Sequence, residues 1–189
     1  MGKVFEALDG SLSDFIRRQH VFFVATAPMA GDGLLNLSPK GLDTFAVLDR
    51  RRVAYLDLTG SGVETIAHLR ENGRIVVMFC AFEGRPRILR LHGRGRAVLP
   101  GHADFQELAQ AFTSRPGIRS VIEVSLTRIA DSCGFAVPRM DYRGDRSQLD
   151  TWAEGKGPER LATYRAEKNS VSIDGLPGLT FSPGGARSG

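Results

Sequence analysis

The chain has 189 residues, of which 42% are hydrophobic and 24% charged, and its formal net charge is +4. This length suffices for one domain with a substantial core, and the composition excludes a wholly disordered or fibrous chain. No apolar run approaches the roughly 20 residues that a membrane-spanning helix needs, so a membrane protein is not expected. The first part of the chain lacks the basic start and cleavage site of a signal peptide, which makes the cytoplasm the expected location.

Cysteines, histidines and arginines narrow the classes of site further. Cys80 and Cys133 are too few for a disulfide framework, so reduced thiols are expected. The four histidines share no metal-ligand spacing, and no metal site is expected. Arginine is densest at 85–96, where it alternates with apolar residues as in a strand. This pattern favours a small anionic ligand over nucleic acid.

Taken in chain order, the sequence predicts strands that are interrupted by two well-marked helices. Helical spacing of apolar residues predicts helices at 12–20, 61–72, 102–113, 147–153 and 159–168. Strand patterns occur at 21–27, 34–38, 53–58, 75–82, 88–99 and 118–129, with a further short apolar piece at 45–48. The first two strands are separated by a Gly-Asp-Gly turn and are expected to form a hairpin.

Capping signals predict where two of these helices begin or end. Ser11 or Ser13 is available as the N-cap of the first. Ser61 and Glu64 form an S-x-x-E capping box at the start of the 61–72 helix, and Gly73 is expected to end it.

About six strands joined by short turns favour a mainly β fold with flanking helices, in which the sheet closes its edges by curling into a barrel. We therefore expect a barrel domain at 1–130. Residues 131–189 are expected to form a C-terminal extension that packs on the barrel or on a dimer partner. The last residues are rich in Gly, Pro and Ser and are expected to be flexible.

The segment 59–62 (TGSG) lies between a strand and the best-marked helix. Small residues there allow close backbone approach, and the helix N-terminus attracts an anion such as phosphate. The alternative is that Ser61 only caps the helix and the glycines only turn the chain. The segment 36–41 (NLSPKG) could bring a hydroxyl and the ammonium of Lys40 to the same place, and Arg87 could add a guanidinium fork.

Three segments, NLSPKG, YLDLTGSGVETIAHLRENGRIVVMF and GRPRILRLHGRG, occur in an order and spacing that resemble the pyridoxamine 5'-phosphate oxidase-related group of FMN-binding split barrels. The resemblance covers residues 15–126. It implies a split β-barrel that holds FMN between two identical subunits, an oxidoreductase activity, and a small-molecule electron donor or substrate.

The resemblance also implies which residues bind. Those assigned to the flavin come from the first segment, the strand-to-helix turn and a later strand: Ser38, Pro39, Lys40, Asp57, Thr59, Ser61, Gly62, Thr65 and Arg87. Residues after the last strand are implied to reach the cofactor of the partner subunit: Cys133, Gly134, Phe135, Pro138 and Tyr142. None of these residues is given a catalytic role.

The sequence departs from true pyridoxamine 5'-phosphate oxidases near its C-terminus. Those enzymes have a Trp followed by an Arg-x-His group for the substrate phosphate, whereas Trp152 is followed by no such group, so the substrate stays open. Two alternatives to an FMN-dependent oxidoreductase also stay open. One is a non-catalytic flavin or small-ligand binder that serves as carrier or redox sensor, and the other is a split barrel that binds deazaflavin F420 or haem, with His92 as the conceivable haem ligand.

Overall fold

The structure is a computed structural model that describes residues 2–180. In this part of the chain eight strands form one antiparallel sheet: β1 (Val4–Phe5), β2 (Phe22–Thr26), β3 (Asn36–Lys40), β4 (Phe45–Val47), β5 (Arg52–Leu58), β6 (Arg74–Cys80), β7 (Ile88–Val98) and β8 (Ile118–Ser132). The helices are α1 (Gly10–Arg17), α2 (Glu64–Asn72), α3 (Phe105–Ala109) and α4 (Gln148–Lys168). None of these helices is both long and apolar enough to cross a membrane.

The strands follow the order β3-β2-β6-β7-β8-β5-β4 across the sheet, and β1 pairs with the end of β8. β8 is the longest strand and pairs with β7 and β5 as well. The edge strands β3 and β4 are joined directly by the short link 41–44, in which Leu42 and Asp43 have left-handed backbone angles of φ 64° and 52°. In the part of the chain that the structure describes, β3 pairs with neither β4 nor β5, so the curled sheet is open along a seam between β3 on one side and β4 and β5 on the other. The predicted mainly antiparallel barrel is confirmed.

The main core fills the inside of this barrel. It contains inward-facing residues of the strands, such as Val24, Tyr55 and Leu91, together with apolar residues of α1 and α2. A smaller cluster that includes Leu108 lies on the other face of β5 and β8, under α3. Burying an aliphatic or aromatic side chain stabilises a fold by roughly 1.5–3 kcal/mol. Because both faces of β5 are covered, the position of the residues at its end is fixed by packing.

Several element boundaries differ from the sequence predictions. α1 is capped by Asp9, whose carboxylate accepts from Leu12 N at 2.8 Å, and not by Ser11 or Ser13. α3 spans only Phe105–Ala109; turns flank it on both sides, and Leu108 is its one buried residue. The predicted hairpin exists, but its second strand runs through the whole NLSPK segment.

The two C-terminal helical segments are confirmed as the two parts of α4. Gly157 has a left-handed φ of 70° and Pro158 follows it, so the helix breaks between the parts. The division of the chain near residue 130 stays a prediction. The end that was expected to be flexible falls, from residue 181 onward, outside the described residues.

Candidate functional site

The seam of the barrel is lined on the β3 side by polar residues at alternate positions. Because alternate residues of a strand share one face, Asn36, Ser38 and Lys40 point the same way. Asn36 Nδ2 donates to Thr65 Oγ1 at 3.0 Å, and Ser38 Oγ donates to Asn36 Oδ1 at 3.1 Å. Lys40 Nζ lies 3.5 Å from Asp57 Oδ1, and its side chain is 25% exposed. The seam thus brings polar groups of β3, β5 and α2 together. Among them are Ser38, Lys40, Asp57 and Thr65, whose role in cofactor binding stays a prediction.

The most deeply buried charges at the seam belong to Asp57 and Arg119. The Asp57 side chain is 1% exposed; Arg119 Nε donates to its Oδ2 at 2.7 Å, and Arg119 Nη2 donates to its Oδ1 at 3.1 Å. Ser120 Oγ donates a further hydrogen bond at 3.1 Å. Burial opposes ionisation of Asp57, but the charges of Arg119 and Lys40 outweigh it and hold the pKa of Asp57 below its usual range. Asp57 is therefore an ionised anchor for two cations.

The same arginine shapes the turn that follows β5. Arg119 Nη1 donates to Gly62 O at 2.7 Å and lies 3.4 Å from Gly60 O. Thr59 is buried, and both its backbone N and its Oγ1 donate to Gly117 O. Ser61 and Gly62 remain exposed at the tip. The carbonyl oxygens of this turn thus face the protein, and its tip faces solvent.

The turn leads into the N-terminus of α2, which no side chain caps in the described part of the chain. The predicted Ser61–Glu64 capping box is wrong: the N-cap is Val63 and the helix begins at Glu64. Ser61 cannot cap because its backbone is held in the turn, and Glu64 Oε1 instead accepts from Ile173 N at 3.3 Å. The first-turn N–H groups of α2 keep the positive end of the helix dipole available to an anion.

A buried histidine lies behind this polar row. Thr26 Oγ1 and His68 Nδ1 are 2.9 Å apart, and Thr26 Oγ1 is also 3.5 Å from Asn36 Nδ2. Burial lowers the pKa of His68, so the ring is neutral at pH 7. His68 therefore supports Asn36 through Thr26 and adds no charge to the site.

Arg87 does not join the other predicted binding residues. Its guanidinium pairs with Asp131 at 2.8 Å and lies over the rings of Phe15 and Phe5, at 5.2 Å and 5.8 Å from their centroids. All three partners lie on α1, β1 and the end of β8. Arg87 thus fastens the N-terminal segment to the barrel, and its place in phosphate binding is not supported by these contacts.

A cleft of about 1170 Å³ lies on the outer face of the β2–β3 hairpin. Phe23 and Pro39, which are paired across the two strands, contribute to its wall, and so does Lys40. On the opposite wall the ring of Tyr142 stacks on His20, with centroids 3.5 Å apart and planes 5° from parallel. Aromatic and basic walls of this kind suit a planar, anionic small molecule.

The residues predicted to reach a partner subunit lie in the segment after β8. Cys133 and Pro138 are exposed, and Phe135 is 82% exposed. Gly134 is buried against the backbone of Arg87, where an added Cβ would lie 3.0 Å from Arg87 N. The partner contacts stay a prediction. The other cysteine, Cys80, is buried, and burial raises its pKa.

Within residues 2–180, no group of three or more His, Cys, Asp or Glu side chains is arranged to hold a metal ion. Trp152 and Tyr164 pack edge to face at 5.2 Å within the C-terminal helix, and Lys156 lies over both rings. They act as packing residues of α4.

Sequence reasoning missed four residues that structure the site: Asn36, Arg119, Arg165 and Asn169. Arg165 Nε donates to Thr59 Oγ1 at 2.8 Å, and Asn169 Nδ2 donates to Gly60 O at 2.9 Å. Arg119 had a detectable signal, because a charged residue inside an apolar strand needs a buried counter-charge. Nothing in the sequence pattern connects α4 with a turn about a hundred residues earlier.

Comparisons with known proteins agree on one family. The family model described as "Pyridoxamine 5'-phosphate oxidase" matches residues 8–133. The pyridoxamine 5'-phosphate oxidase family protein ustO of Aspergillus flavus is 42% identical over 197 aligned positions, which cover 93% of this chain and 77% of that protein.

Two solved structures share the fold at low sequence identity. HupZ of Group A Streptococcus has a TM-score of 0.51 at 22% identity, covering 65% of this chain and 91% of that chain. A candidate pyridoxamine 5'-phosphate oxidase from Lactobacillus delbrueckii also has a TM-score of 0.51, at 14% identity, covering 67% of this chain and 98% of that chain. These similarities identify the barrel as a split barrel.

Proposed function

The chain belongs to the pyridoxamine 5'-phosphate oxidase family, and we propose that it is a flavoprotein that binds FMN at the seam of the barrel and acts as an oxidoreductase. Flavin binding is common in this family. The proposal for this chain depends on its own residues around the turn at 59–65. Its substrate and its electron donor stay open.

The observation that supports the proposal most strongly is the uncapped N-terminus of α2 opposite the polar face of β3. The helix offers N–H donors and a positive dipole end, and β3 offers the Lys40 ammonium and the Ser38 hydroxyl across the seam. Phosphate has several strong acceptor oxygens and two charges near neutral pH. A cationic group and several donors around one opening are the features that such a group needs.

The charges of the site fit a phosphate ester. Three cations, Lys40, Arg119 and Arg165, surround the turn, and two carboxylates, Asp57 and Glu64, lie beside them. The site therefore has an excess of positive charge. Asp57 is paired with Arg119, so its charge is compensated. Glu64 accepts only from the backbone of Ile173 and keeps its negative charge beside the turn, which the three cations outnumber together with Asp57.

Each side chain has a distinct role in this proposal. Lys40 supplies a mobile point charge for the phosphate, and Ser38 and Thr65 supply hydroxyls. Asn36 orients both hydroxyls, because it donates to Thr65 and accepts from Ser38. When bound, the flavin supplies the electron-transfer chemistry, while the protein binds and orients it. We also propose the homodimer that the resemblance implies, with the exposed segment after β8 at its interface.

The test begins with the absorbance of the protein as purified and of the apoprotein reconstituted with FMN. The expected result is a flavin spectrum that shifts on binding, with FMN released on denaturation and identified by mass. A haem absorbance band, or F420 released on denaturation, would instead identify haem or F420 as the bound cofactor. If FMN causes no spectral shift, the cofactor assignment fails.

A second measurement separates an enzyme from a carrier or sensor. NADH or NADPH is added to the FMN-loaded protein without oxygen, and an electron acceptor follows. An oxidoreductase should show reduction of the bound flavin and repeated turnover with the acceptor. Stable binding of FMN with no reduction by either nicotinamide and no turnover would favour the non-catalytic binder.

A further inference from the structure

Arg165 of the C-terminal helix α4 contacts the turn that we propose as the phosphate site. Arg165 lies near the end of α4 and is half-buried. Its Nε donates to Thr59 Oγ1 at 2.8 Å, and its Nη2 donates to Ile118 O at 3.1 Å. Thr59 in turn donates to Gly117 O at 2.8 Å. The guanidinium is thus fixed against the first residue of the turn, on the side of β5 and β8.

Arg165 forms no ion pair with a carboxylate of the described residues. Within residues 2–180 no Asp or Glu oxygen lies within 4.0 Å of its guanidinium, whereas Arg87, Arg115 and Arg119 each form such a pair. Burial and the neighbouring charge of Arg119 lower the pKa of Arg165. An arginine nevertheless stays protonated at pH 7, so two guanidinium groups share the turn with one buried carboxylate, Asp57. An anionic ligand would supply the missing negative charge.

The next helical turn contributes a second buried polar residue. Asn169 is fully buried, and its Nδ2 donates to Gly60 O at 2.9 Å and to Ser61 O at 3.2 Å. Its Oδ1 is buried and has no hydrogen-bond partner among the described residues. An unpaired buried acceptor is costly and needs a donor such as a water molecule or a hydroxyl of the ligand, because the phosphate oxygens are themselves acceptors. Asn169 therefore marks the same turn independently of the charge of Arg165.

The segment after α4 holds this arrangement in place. Leu179 is buried in the main core, and its N donates to Asn169 O at 2.7 Å. Arg70 of α2 donates to Gly178 O. Ile173 N donates to Glu64 at the start of α2. The C-terminal part of the chain is thus tied to both ends of α2, which fixes Arg165 and Asn169 relative to the turn.

We propose that Arg165 is the arginine that binds the phosphate group at the 59–65 turn, in the place first assigned to Arg87, and that Asn169 is a positioning residue that holds the turn open to the ligand. This inference rests on the proposed function. The planar guanidinium of Arg165 can bind a phosphate oxygen through Nη1, for which the described residues provide no partner. Its Nε and Nη2 can keep their present contacts with Thr59 and Ile118.

The test measures the affinities of FMN and riboflavin, which differ only in the phosphate, for wild type, R165Q and R165K by quenching of flavin fluorescence. R165Q should weaken FMN about ten-fold and change riboflavin less than about three-fold, because glutamine keeps a donor for Thr59 but removes the charge. R165K should fall between wild type and R165Q. The control is K168Q, which removes one positive charge from the same helix at an exposed position and should leave the FMN-to-riboflavin ratio unchanged.

The outcomes separate this inference from the proposed function. If wild type prefers FMN and R165Q keeps that preference in full, Arg165 has a purely structural role and the inference is overturned. Equal losses of both ligands in R165Q overturn it as well. If wild type binds neither ligand, or binds both equally, the proposed phosphate site itself fails. Should R165Q not fold, R165K decides: a ratio reduced about three-fold supports the inference, and an unchanged ratio overturns it.

Discussion

Replacing Arg119 by glutamine should lower the free energy of unfolding by about 3–5 kcal/mol, because the change leaves Asp57 as a buried carboxylate without its main partner. The Asp57 side chain is 1% exposed and receives two hydrogen bonds from this guanidinium. The substitution also removes the donor to Gly62 O, so the 59–65 turn should lose its support. Urea denaturation followed by circular dichroism measures the effect.

An exposed ion pair provides the control for this variant. Arg17 and Asp14 form a pair on the surface of α1, with more than half of each side chain exposed. R17Q should change the free energy of unfolding by less than about 1 kcal/mol. A loss in R119Q no larger than the loss in R17Q would contradict the structural role assigned to the buried pair.

The pH dependence of R119Q gives an independent check. In the wild type the pKa of Asp57 is held below its unfolded value of about 3.9, so the stabilisation is present above that pH and is lost as the pH falls through the lower, folded value. Without Arg119, burial opposes the ionisation of Asp57, and only the charge of Lys40 and the hydrogen bond from Ser120 favour it. The pKa of Asp57 in folded R119Q should therefore be higher than in the folded wild type, and the difference in unfolding free energy should shrink as the pH falls from the first value to the second, where Asp57 becomes protonated in both proteins.

Lys40→Ala should weaken FMN roughly 10- to 100-fold and riboflavin only slightly. A hydrogen bond to a charged group contributes about 1.5–3 kcal/mol, and each 1.4 kcal/mol corresponds to about a factor of ten in affinity. The ammonium is partly exposed at the seam and is held 3.5 Å from Asp57, so it can turn toward an entering phosphate. Isothermal titration with both ligands measures the ratio.

Arg87→Ala is the matched control, because Arg87, like Lys40, is a cation that the sequence predicted to bind the flavin. Its guanidinium is engaged with Asp131, Phe5 and Phe15, so the FMN-to-riboflavin ratio should stay at the wild-type value. A selective loss of FMN in Arg87→Ala with none in Lys40→Ala would reverse the assignment of the phosphate site.

Most of the fold could be predicted from the sequence, because the longer strands have strong local sequence patterns. The run 75–82 is rich in β-branched and aromatic residues, and 53–58 is apolar except for Asp57. Gly73 ends α2 with the left-handed φ of 69° that its position predicted. β1 and β4 were not among the six predicted strands, because two or three residues give no readable period. Their pairing depends on β8 and β5, which is tertiary information.

The site was only partly readable for the same reason. Lys40 and Asp57 stand in recognisable segments, and the structure brings them together. Arg87 is in an equally recognisable segment, but its ion pair with Asp131 depends on a strand register that no local pattern reveals. The capping box failed because the carbonyl oxygens of the turn are bound by Arg119 and Asn169, so that the helix begins later than its sequence signal. Distant side chains overrode a local preference.

We propose that the seam at the 59–65 turn recognises the phosphate ester of a flavin. The most direct test is the affinity of wild-type apoprotein for FMN and for riboflavin, measured side by side at one ionic strength, since surface electrostatics depend on salt. We expect FMN to bind at least about ten times more tightly than riboflavin, which corresponds to a phosphate contribution of about 1.4 kcal/mol or more. Equal affinity for the two ligands, or no binding of either, would contradict it.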